Sequence, residues 1–347
     1  MDDLNSPDRT PHSEVRTAAE QAARTSYGRL LALLAASTRD ILLAEDALAD
    51  AFEQAMRSWP VSGIPANPEG WLLSVARNRQ RDVLRSAARR TSDPLEAGET
   101  VPAPDLSSID PDAIPDKRLE LLFACAHPAI AADIRTPLML HTVFGFEARA
   151  IAEAFRIPPA TMAQRLVRAK RRIRATGIPF AVPTRADMPE RLGFVLEAIY
   201  GTYTIDWESL PREASLASES LFLAVTVAAL RETEPESWGL AALIALSSAR
   251  APARFVEGGF VPFGEQDPSL WDVGLIREGE AYLRRAHSLG QPLGRFQLEA
   301  AIQSVHCDRL RTGTTDRDAL LRLYRALVAV APTEGAKAAL AAVESGN

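Results

Sequence analysis

Apolar residues recur every three or four positions through most of the chain. In the first sixty residues this set comprises Leu30, Leu31, Leu34, Ile41, Ala44, Leu48, Phe52, Met56 and Trp59. Such spacing places the apolar side chains on one face of a helix, whereas a half-buried strand would need regular alternation, which is missing. The pattern predicts an all-α protein.

Proline-rich and acidic runs divide this helical pattern into blocks. The sequence predicts a disordered head at 1–25, a helical bundle at 26–90, a flexible linker at 91–116, a second helical domain at 117–175, a short linker at 176–189 and a third helical domain at 190–347. The first linker is the clearest: from Ser92 to Pro115 there are five prolines, six acidic residues and no Lys or Arg. This composition cannot bury a core.

A helix with a basic stripe is predicted after a loop at Pro60 to Pro68, where three prolines and a glycine break the helical pattern. The helix runs from Trp71 to about Arg90 and would bury an apolar face. Arginines recur at every fourth position on another face: Arg77, Arg81, Arg85 and Arg89. An Arg-rich helix also serves as an ordinary solvated surface, so the stripe alone leaves DNA binding open.

The most specific pattern lies between Phe146 and Arg172, which has the layout of a helix-turn-helix with its turn at Arg156 to Pro158. In the second helix the apolar residues fall at spacings of four, three and four: Met162, Leu166, Ala169 and Ile173. They share one face, which we predict to be buried. The polar residues facing away are Gln164, Arg165, Arg168, Arg171 and Arg172.

Charge distribution favours DNA as the partner of this second helix. The whole chain has a net charge of −6, but residues from Glu190 onward carry all of that excess. Between Ala160 and Arg174 there are six basic residues and no acidic one, and such a cluster repels itself unless a polyanion faces it. Base edges would be read by Thr161, Gln164, Arg165 and Arg168, and phosphates held by Arg171 and Arg172. A solvated cationic surface helix is the plain alternative.

Three successive segments resemble region 2 of the extracytoplasmic-function sigma factors of bacterial RNA polymerase. They are Glu45 to Phe52, the proline-rich loop, and Trp71 to Asn78. The helix-turn-helix resembles their region 4. Two segments, Phe123 to Ala129 and the second helix of the helix-turn-helix, are similar to the corresponding segments of the sigma-factor subgroup that has a C-terminal tetratricopeptide-like extension. The resemblance covers about residues 26–332.

This resemblance implies a role for each module. Polymerase docking, on the clamp helices of the β′ subunit, would use Asp46, Asp50 and Phe52. Capture and opening of the −10 promoter element would use Trp71, Arg77, Asn78, Arg81 and Arg85. The helix-turn-helix would read the −35 element, its domain would meet the β flap, and the acidic linker would thread through the core enzyme.

Two segments depart from the family pattern. Ala49 stands where the acidic helix of the family often has Gln, which bears on the strength of clamp docking. The segment from Tyr203 to Trp207 stands where relatives carry an Asn-Glu-Gly-Tyr signature. In the third domain, Leu320 to Pro332 has the small–large packing typical of tetratricopeptide helices, without a clean 34-residue repeat. Trp271 could line a partner surface, but a core tryptophan is the commoner case.

Other chemistry is not indicated. The five histidines show no metal-ligand spacing, and no Ser or Cys lies in a nucleophile motif, so we predict no enzyme, no metal and no cofactor. Cys125 and Cys307 are predicted to be free, buried thiols. No apolar run approaches the roughly 20 residues that span a bilayer, and the N-terminus has no signal core, so we expect a cytoplasmic protein without membrane contact.

Three functions remain open from the sequence alone. The first is a sigma factor that recruits core polymerase, with a C-terminal domain that regulates it through an intramolecular contact or a protein partner. The second is a DNA-binding regulator without polymerase docking. The third is an interaction scaffold dominated by the helical extension, against which the intact basic helix argues.

Overall fold

The computed structural model describes residues 11–91, 116–178, 183–184, 186–207, 216–256 and 259–345. These residues form fifteen α-helices and one short β-hairpin, which confirms the predicted all-α class. The chain divides into two compact units, Met1–Val195 and Leu196–Asn347. Among the described helices, each is too short or too polar to cross a membrane.

Unit 1 contains the first seven helices. They are α1 (Pro11–Thr38), α2 (Ile41–Ser62), α3 (Pro68–Thr91), α4 (Lys117–Cys125), α5 (Ala132–Thr142), α6 (Ala148–Ala154) and α7 (Pro159–Thr176). The first three pack against one another around apolar side chains at their helical spacing, including Leu34, Leu48, Trp59 and Leu72. Asp40 starts α2, because its Oδ1 accepts a hydrogen bond from the Leu43 N–H at 3.2 Å.

The predicted disordered head is wrong for residues 11–25, which lie in α1. Val15, Ala19 and Ala22 are at most 6% exposed, so this part of the helix packs against the rest of the unit. Their spacing of four and three was a helical signal, but the polar residues between them resemble a solvated tail. Residues 1–10 of the predicted head lie outside the described residues.

The two N-terminal modules, predicted as separate domains, belong to one compact unit. α1 packs against α4, and α2 packs against α7. Gly28 on α1 lies so close to the backbone of Val143 that a Cβ there would be 1.7 Å from the Val143 carbonyl oxygen. The predicted linker at 91–116 lies, between Ser92 and Pro115, outside the described residues. Contacts between modules follow from three-dimensional complementarity, which periodicity cannot reveal.

The loop between α2 and α3 is shorter than predicted, because α2 continues through Pro60 to Ser62. Proline lacks an N–H, but near a helix end this removes only one intrahelical bond. The helix ends at Gly63, which has φ 82° and donates its N–H to the Trp59 carbonyl at 3.0 Å. α3 begins at Pro68, where a missing N–H costs nothing. The Asn67 side chain accepts from the Gly70 N–H at 2.8 Å.

In unit 2 a central apolar helix is surrounded by hairpins. The elements from the unit boundary onward are α8 (Met188–Trp207), which begins in unit 1, α9 (Ala217–Leu230), α10 (Pro235–Ser248), β1 (Phe255–Val256), β2 (Gly259–Phe260), α11 (Val273–Ser288), α12 (Arg295–Cys307), α13 (Arg309–Thr312), α14 (Arg317–Val330) and α15 (Glu334–Ser345). α10 packs against α9, α11 and α12, and it is buried without a break from Gly239 to Ser247. The strands pair antiparallel, with Phe255 opposite Phe260.

Trp271 lies in the core of unit 2 and is 3% exposed, which is the commoner of the two cases that the sequence left open and excludes the partner surface. It packs in one cluster with Leu246 and Cys307. Cys125 and Cys307 are both free and buried, as predicted.

Candidate nucleic-acid interface

The basic helix α7 is bounded by backbone signals at both ends. Pro158 and Pro159 begin it, and Gly177, with φ 61°, ends it in the left-handed conformation that glycine adopts without strain. The predicted inner face is confirmed, since Met162, Leu166, Ala169 and Ile173 are at most 6% exposed. The helix is therefore anchored along one side.

The turn between α6 and α7 is held by main-chain hydrogen bonds. The Ile157 N–H donates to the Ala152 carbonyl at 2.9 Å, and the Phe155 N–H donates to the Ile151 carbonyl at 3.0 Å. Arg156 has φ 52°, a left-handed conformation that is uncommon for a residue with a Cβ. The short turn and the buried Ile151 and Ala152 attach α6 to α7 as one structural pair.

The outward face of α7 carries all six of the residues predicted to read or hold DNA. Gln164, Arg168, Arg171 and Arg172 are exposed, and Thr161 and Arg165 are half-buried. Because they project from a single anchored helix, they form one polar surface. This surface is the strongest candidate for binding an anion such as a phosphate backbone.

Carboxylates of the protein itself neutralise half of the six basic residues of α7. Arg165 pairs with Asp133 at 3.0 Å, Lys170 with Glu45 at 2.7 Å, and Arg174 with Asp40 at 3.1 Å. Among the cations of α7, those without an ion pair to a described residue are Arg168, Arg171 and Arg172. The inference that the whole cluster requires a polyanion is therefore too broad, because in the described part of the chain three of the six cations already have a carboxylate partner.

A groove of about 510 Å³ lies beside α7 in unit 1. Ile130 and Ile134 form its apolar side, and Arg165, Arg168 and Arg172 border it from α7. Asp133 also lines it and holds Arg165. The groove thus combines an apolar floor with guanidinium groups that can donate hydrogen bonds to anionic oxygens.

In the predicted basic stripe of α3, Arg81 and Arg85 are exposed and Arg77 is half-buried, while the side chain of Arg89 lies outside the described residues. The Asn78 Oδ1 accepts a hydrogen bond from Arg81 Nη2 at 2.6 Å. Burial lowers the pKa of Arg77, and the neighbouring charge of Arg81 lowers it further. Trp71 is half-buried, and its ring meets the buried ring of Trp59 edge-on at 5.5 Å. Trp71 therefore contributes to packing as well as to the surface beside the stripe.

The acidic face of α2 presents fewer free carboxylates than its sequence suggests. Asp46 and Ala49 are exposed, and Phe52 is half-buried. The Asp50 Oδ2 is 2.5 Å from Arg79 Nε on α3. Of the two acidic residues predicted to dock on the polymerase, Asp46 is the one without an ion pair in the described part of the chain.

Residues that sequence reasoning overlooked connect these helices. Gln80 on α3 is 3% exposed and donates to the Leu34 carbonyl at 3.4 Å. Lys170 lies on the apolar side of α7, four residues after Leu166 and three before Ile173. That position was a signal in the sequence, because a lysine on a buried stripe needs a partner.

Unit 2 buries a separate cluster of cationic and aromatic groups. Arg250 lies over the ring of Phe263 at 4.7 Å, and it also donates to the side chain of Gln303. Burial, together with the charges of Arg250 and Arg309, lowers the pKa of His306 to about 4. The His306 ring is therefore neutral at pH 7 and packs against Phe263, with ring centroids 4.3 Å apart.

Two protein families match parts of the chain. Sigma-70 region 2 matches residues 23–90, and a family of unknown function, DUF6596, matches residues 191–287. An uncharacterised protein of Rhizobium meliloti (strain 1021) is 36% identical in an alignment 332 residues long, and the match covers 88% of this chain and 78% of that protein. No solved structure matches the chain.

Proposed function

We propose that this chain is a sigma-70 family factor, which binds core RNA polymerase and directs it to promoter DNA for transcription initiation. Members of the family regulate transcription without catalysing a reaction themselves. The match to region 2 covers most of α1 together with α2 and α3. The finer assignment, to the extracytoplasmic-function subgroup with a tetratricopeptide-like extension, rests on the resemblance of Glu45 to Phe52, Trp71 to Asn78 and Met162 to Arg172.

The outward face of α7 is the observation that carries this proposal. Arg168, Arg171 and Arg172 are exposed and have no carboxylate partner in the described residues. An arginine can donate two hydrogen bonds to the O6 and N7 atoms of guanine, and a glutamine can pair with adenine in the same groove. In our proposal Thr161, Gln164, Arg165 and Arg168 read the −35 element, while Arg171 and Arg172 hold phosphates.

The α3 stripe supports a role at the −10 element. Arg77, Asn78, Arg81 and Arg85 would track the phosphates of a strand that is being separated. The indole of Trp71 would stack on an unpaired base, for which an aromatic ring is well suited. Its contact with Trp59 would hold the indole in place before the base arrives.

Polymerase docking would use the acidic face of α2, with Asp46 and Phe52 meeting the clamp helices of the β′ subunit, and the α4–α7 module meeting the β flap. Asp50 would join this contact after exchanging its Arg79 partner for one on the polymerase. The C-terminal domain would regulate these steps through an intramolecular contact or a protein partner. All of these events belong in the cytoplasm, where the polymerase acts.

A DNA-binding regulator that does not dock on polymerase is the second candidate function. The Asp50–Arg79 pair favours it, since this pair removes one carboxylate from the predicted docking face. Ala49 favours it as well, because an exposed methyl group offers no hydrogen bond there. Such a regulator would bind duplex DNA alone and leave core polymerase unbound.

Reconstitution of the full chain with bacterial core polymerase separates the two functions. We expect a stable complex and promoter-dependent transcription. Arg168→Ala should lower promoter affinity of that complex by about 1–3 kcal/mol, the range for loss of a bidentate base contact, while core binding stays unchanged. Arg277→Ala is the matched control, since Arg277 is also an exposed helical arginine but lies in α11 of unit 2.

Each outcome decides between the candidates. DNA binding by the chain without a complex with core polymerase would establish the regulator and reject the sigma factor. Equal losses from Arg168→Ala and Arg277→Ala would reject base reading by α7. Loss of core and promoter binding together in Arg168→Ala, with a normal circular dichroism spectrum, would reject the division of labour between α2 and α7.

A further inference from the structure

A cavity of about 360 Å³ opens among five helices of unit 2, which are α8, α10, α12, α14 and α15. Its apolar wall consists of residues that are at most 7% exposed: Leu243, Ile302, Leu327 and Ala336. Thr333 and Gly335 also line it and are exposed, so the cavity can be reached from solvent. Its volume is near the lower end of the range for small-molecule sites, which favours a small metabolite over a protein partner.

One end of the cavity carries excess positive charge. Arg250 lies behind this end: it is 6% exposed, and its Nη2 donates a hydrogen bond to the Oε1 of Gln303, which lines the cavity. The Arg250 Nε is buried without a hydrogen-bond partner in the described part of the chain. Burial lowers the pKa of Arg250, and the groups that act on this pKa most strongly after burial are not carboxylates but Cys307, Tyr203, Arg309 and Tyr324. A buried guanidinium without a counter-charge is strongly unfavourable.

Gln303 presents hydrogen-bond donors to the cavity. Because arginine has no acceptor atom, the amide of Gln303 must turn its oxygen toward Arg250, which leaves the two Nε2 hydrogens for another partner. Among the described residues these hydrogens have no acceptor. They can donate to an anionic oxygen in the cavity, and the charge of Arg250 behind them strengthens such bonds.

The other end of the cavity carries excess negative charge. Two carboxylates share Arg295: its Nη1 lies 2.6 Å from the Glu197 Oε1, and its Nε donates to the Glu299 Oε1 at 2.8 Å. Arg295 and Glu299 line the cavity, and the side chain of Glu299 is 18% exposed. One guanidinium neutralises only one of the two carboxylates, so a further cation is attracted to this end.

The two ends are one helical turn apart. Glu299 and Gln303 are four positions apart on α12, which places their Cβ atoms about 5–6 Å from each other on one face of the helix. Tyr324 lies close to both ends, because burial raises its pKa and the charges of Arg250 and Glu299 act on that pKa as well. Two side chains at this spacing can converge on a cationic and an anionic group that belong to one small molecule.

We propose that this cavity binds a free α-amino acid with an apolar side chain. The carboxylate of the ligand accepts hydrogen bonds from the Gln303 amide and supplies the counter-charge that Arg250 lacks, while its ammonium group donates to Glu299. Its side chain packs against the apolar wall. The site does not depend on the proposed function, because it uses residues of unit 2 and requires neither DNA nor polymerase.

Isothermal titration calorimetry of the full chain with L-leucine, L-isoleucine, L-methionine and L-phenylalanine tests the site. For ligands of this size we expect at least one Kd of about 1 mM or lower. Two analogues of the tightest amino acid serve as controls: the acid that lacks the ammonium group and the amine that lacks the carboxylate. Each should bind about 10- to 150-fold more weakly, because it loses a hydrogen bond to a charged group. Weaker binding by all four amino acids, or an analogue that binds as tightly as its amino acid, overturns the proposal.

Gln303→Glu removes the ligand's place and provides Arg250 with a carboxylate of the protein itself. The unfolding midpoint in urea should therefore not fall, while amino-acid affinity should drop by at least about 100-fold, because two carboxylates repel each other. Gln291→Glu is the matched control, since it adds the same charge at an exposed glutamine that does not line the cavity. Binding retained in folded Gln303→Glu, or lost equally in Gln291→Glu, overturns the site.

Glu299→Gln separates the ammonium contact from a general effect on folding. It should weaken binding of the amino acid to about the affinity of the acid analogue, and it should leave binding of that analogue unchanged or stronger. Equal losses for the two ligands would show that Glu299 supports the structure without contacting the ammonium group, and would overturn its role in the site.

Discussion

Gly28 offers a direct test of the close packing between α1 and the end of α5. It lies within a helix, where alanine is ordinarily preferred to glycine by about 1 kcal/mol. A Cβ at this position would lie 1.7 Å from the Val143 carbonyl oxygen and 2.9 Å from its carbonyl carbon. These are backbone atoms, which cannot turn aside as a flexible side chain can. Gly28→Ala therefore forces the two segments apart.

The net effect of Gly28→Ala follows from comparing these two contributions. Forcing an extra methyl group into a packed interior costs typically about 1–3 kcal/mol, and a backbone clash lies at the upper end. The intrinsic preference of the helix for alanine offsets about 1 kcal/mol of this. We expect the free energy of unfolding of unit 1 to fall by about 1–3 kcal/mol.

Gly193→Ala is the matched control, because Gly193 is also helical but has no heavy atom within 4 Å of the position a Cβ would take. It should raise stability by about 0.5–1 kcal/mol. Hydrogen–deuterium exchange resolved by peptide measures unit 1 separately from unit 2. Amides of α1 and α2 should exchange roughly 5- to 150-fold faster in Gly28→Ala. Exchange as slow as in the parent chain would refute the close approach.

Three further predictions concern α7 and unit 2. Leu166→Ala should destabilise unit 1 by about 2–5 kcal/mol in urea unfolding, because Leu166 is 2% exposed. Val167→Ala is the control: at a position that is 41% exposed, it should change stability by no more than about 0.5 kcal/mol. Equal effects of the two substitutions would contradict the orientation of α7. Arg171→Ala should reduce the slope of log affinity against log salt by about one unit in promoter titrations, and an unchanged slope would exclude a phosphate contact. The pKa of His306, about 4 when folded, lies below the ordinary value of 6.5, so the unfolded chain binds more protons between these values. The neutral ring contributes about 3 kcal/mol to the free energy of unfolding; this contribution is fully present above pH 6.5 and is lost as the pH falls toward 4. His306→Gln should flatten this pH dependence in urea titrations. Identical pH profiles in the parent and the variant would reject the lowered pKa of His306.

The sequence predicted more of the fold of unit 1 than of unit 2. Prolines and glycines mark ends that depend on local backbone geometry, as at Pro68 and Gly177. The hairpin of β1 and β2 was not foreseen, because two-residue strands are too short to show alternation. Trp271 shows a different limit, since the sequence favoured a core position for this aromatic residue but could not exclude a surface position. Its burial depends on α10 and α12, which are distant in sequence.

What the sequence by itself determined is the local chemistry of the candidate interface. The period of Met162, Leu166, Ala169 and Ile173 specifies which side of α7 is buried and, by subtraction, which side is polar. These features follow from helical geometry alone, so they are readable without knowledge of the rest of the chain.

Only the tertiary structure decided which of the cations on α7 pair with a carboxylate. Lys170 and Glu45 are 125 positions apart along the chain, and their pairing depends on how α2 and α7 pack. Arg174 and Asp40 pair across a similar separation. The sequence of one segment therefore gives the number of its cations. Their carboxylate partners lie on other helices, and the packing of the whole unit decides which of these helices come close.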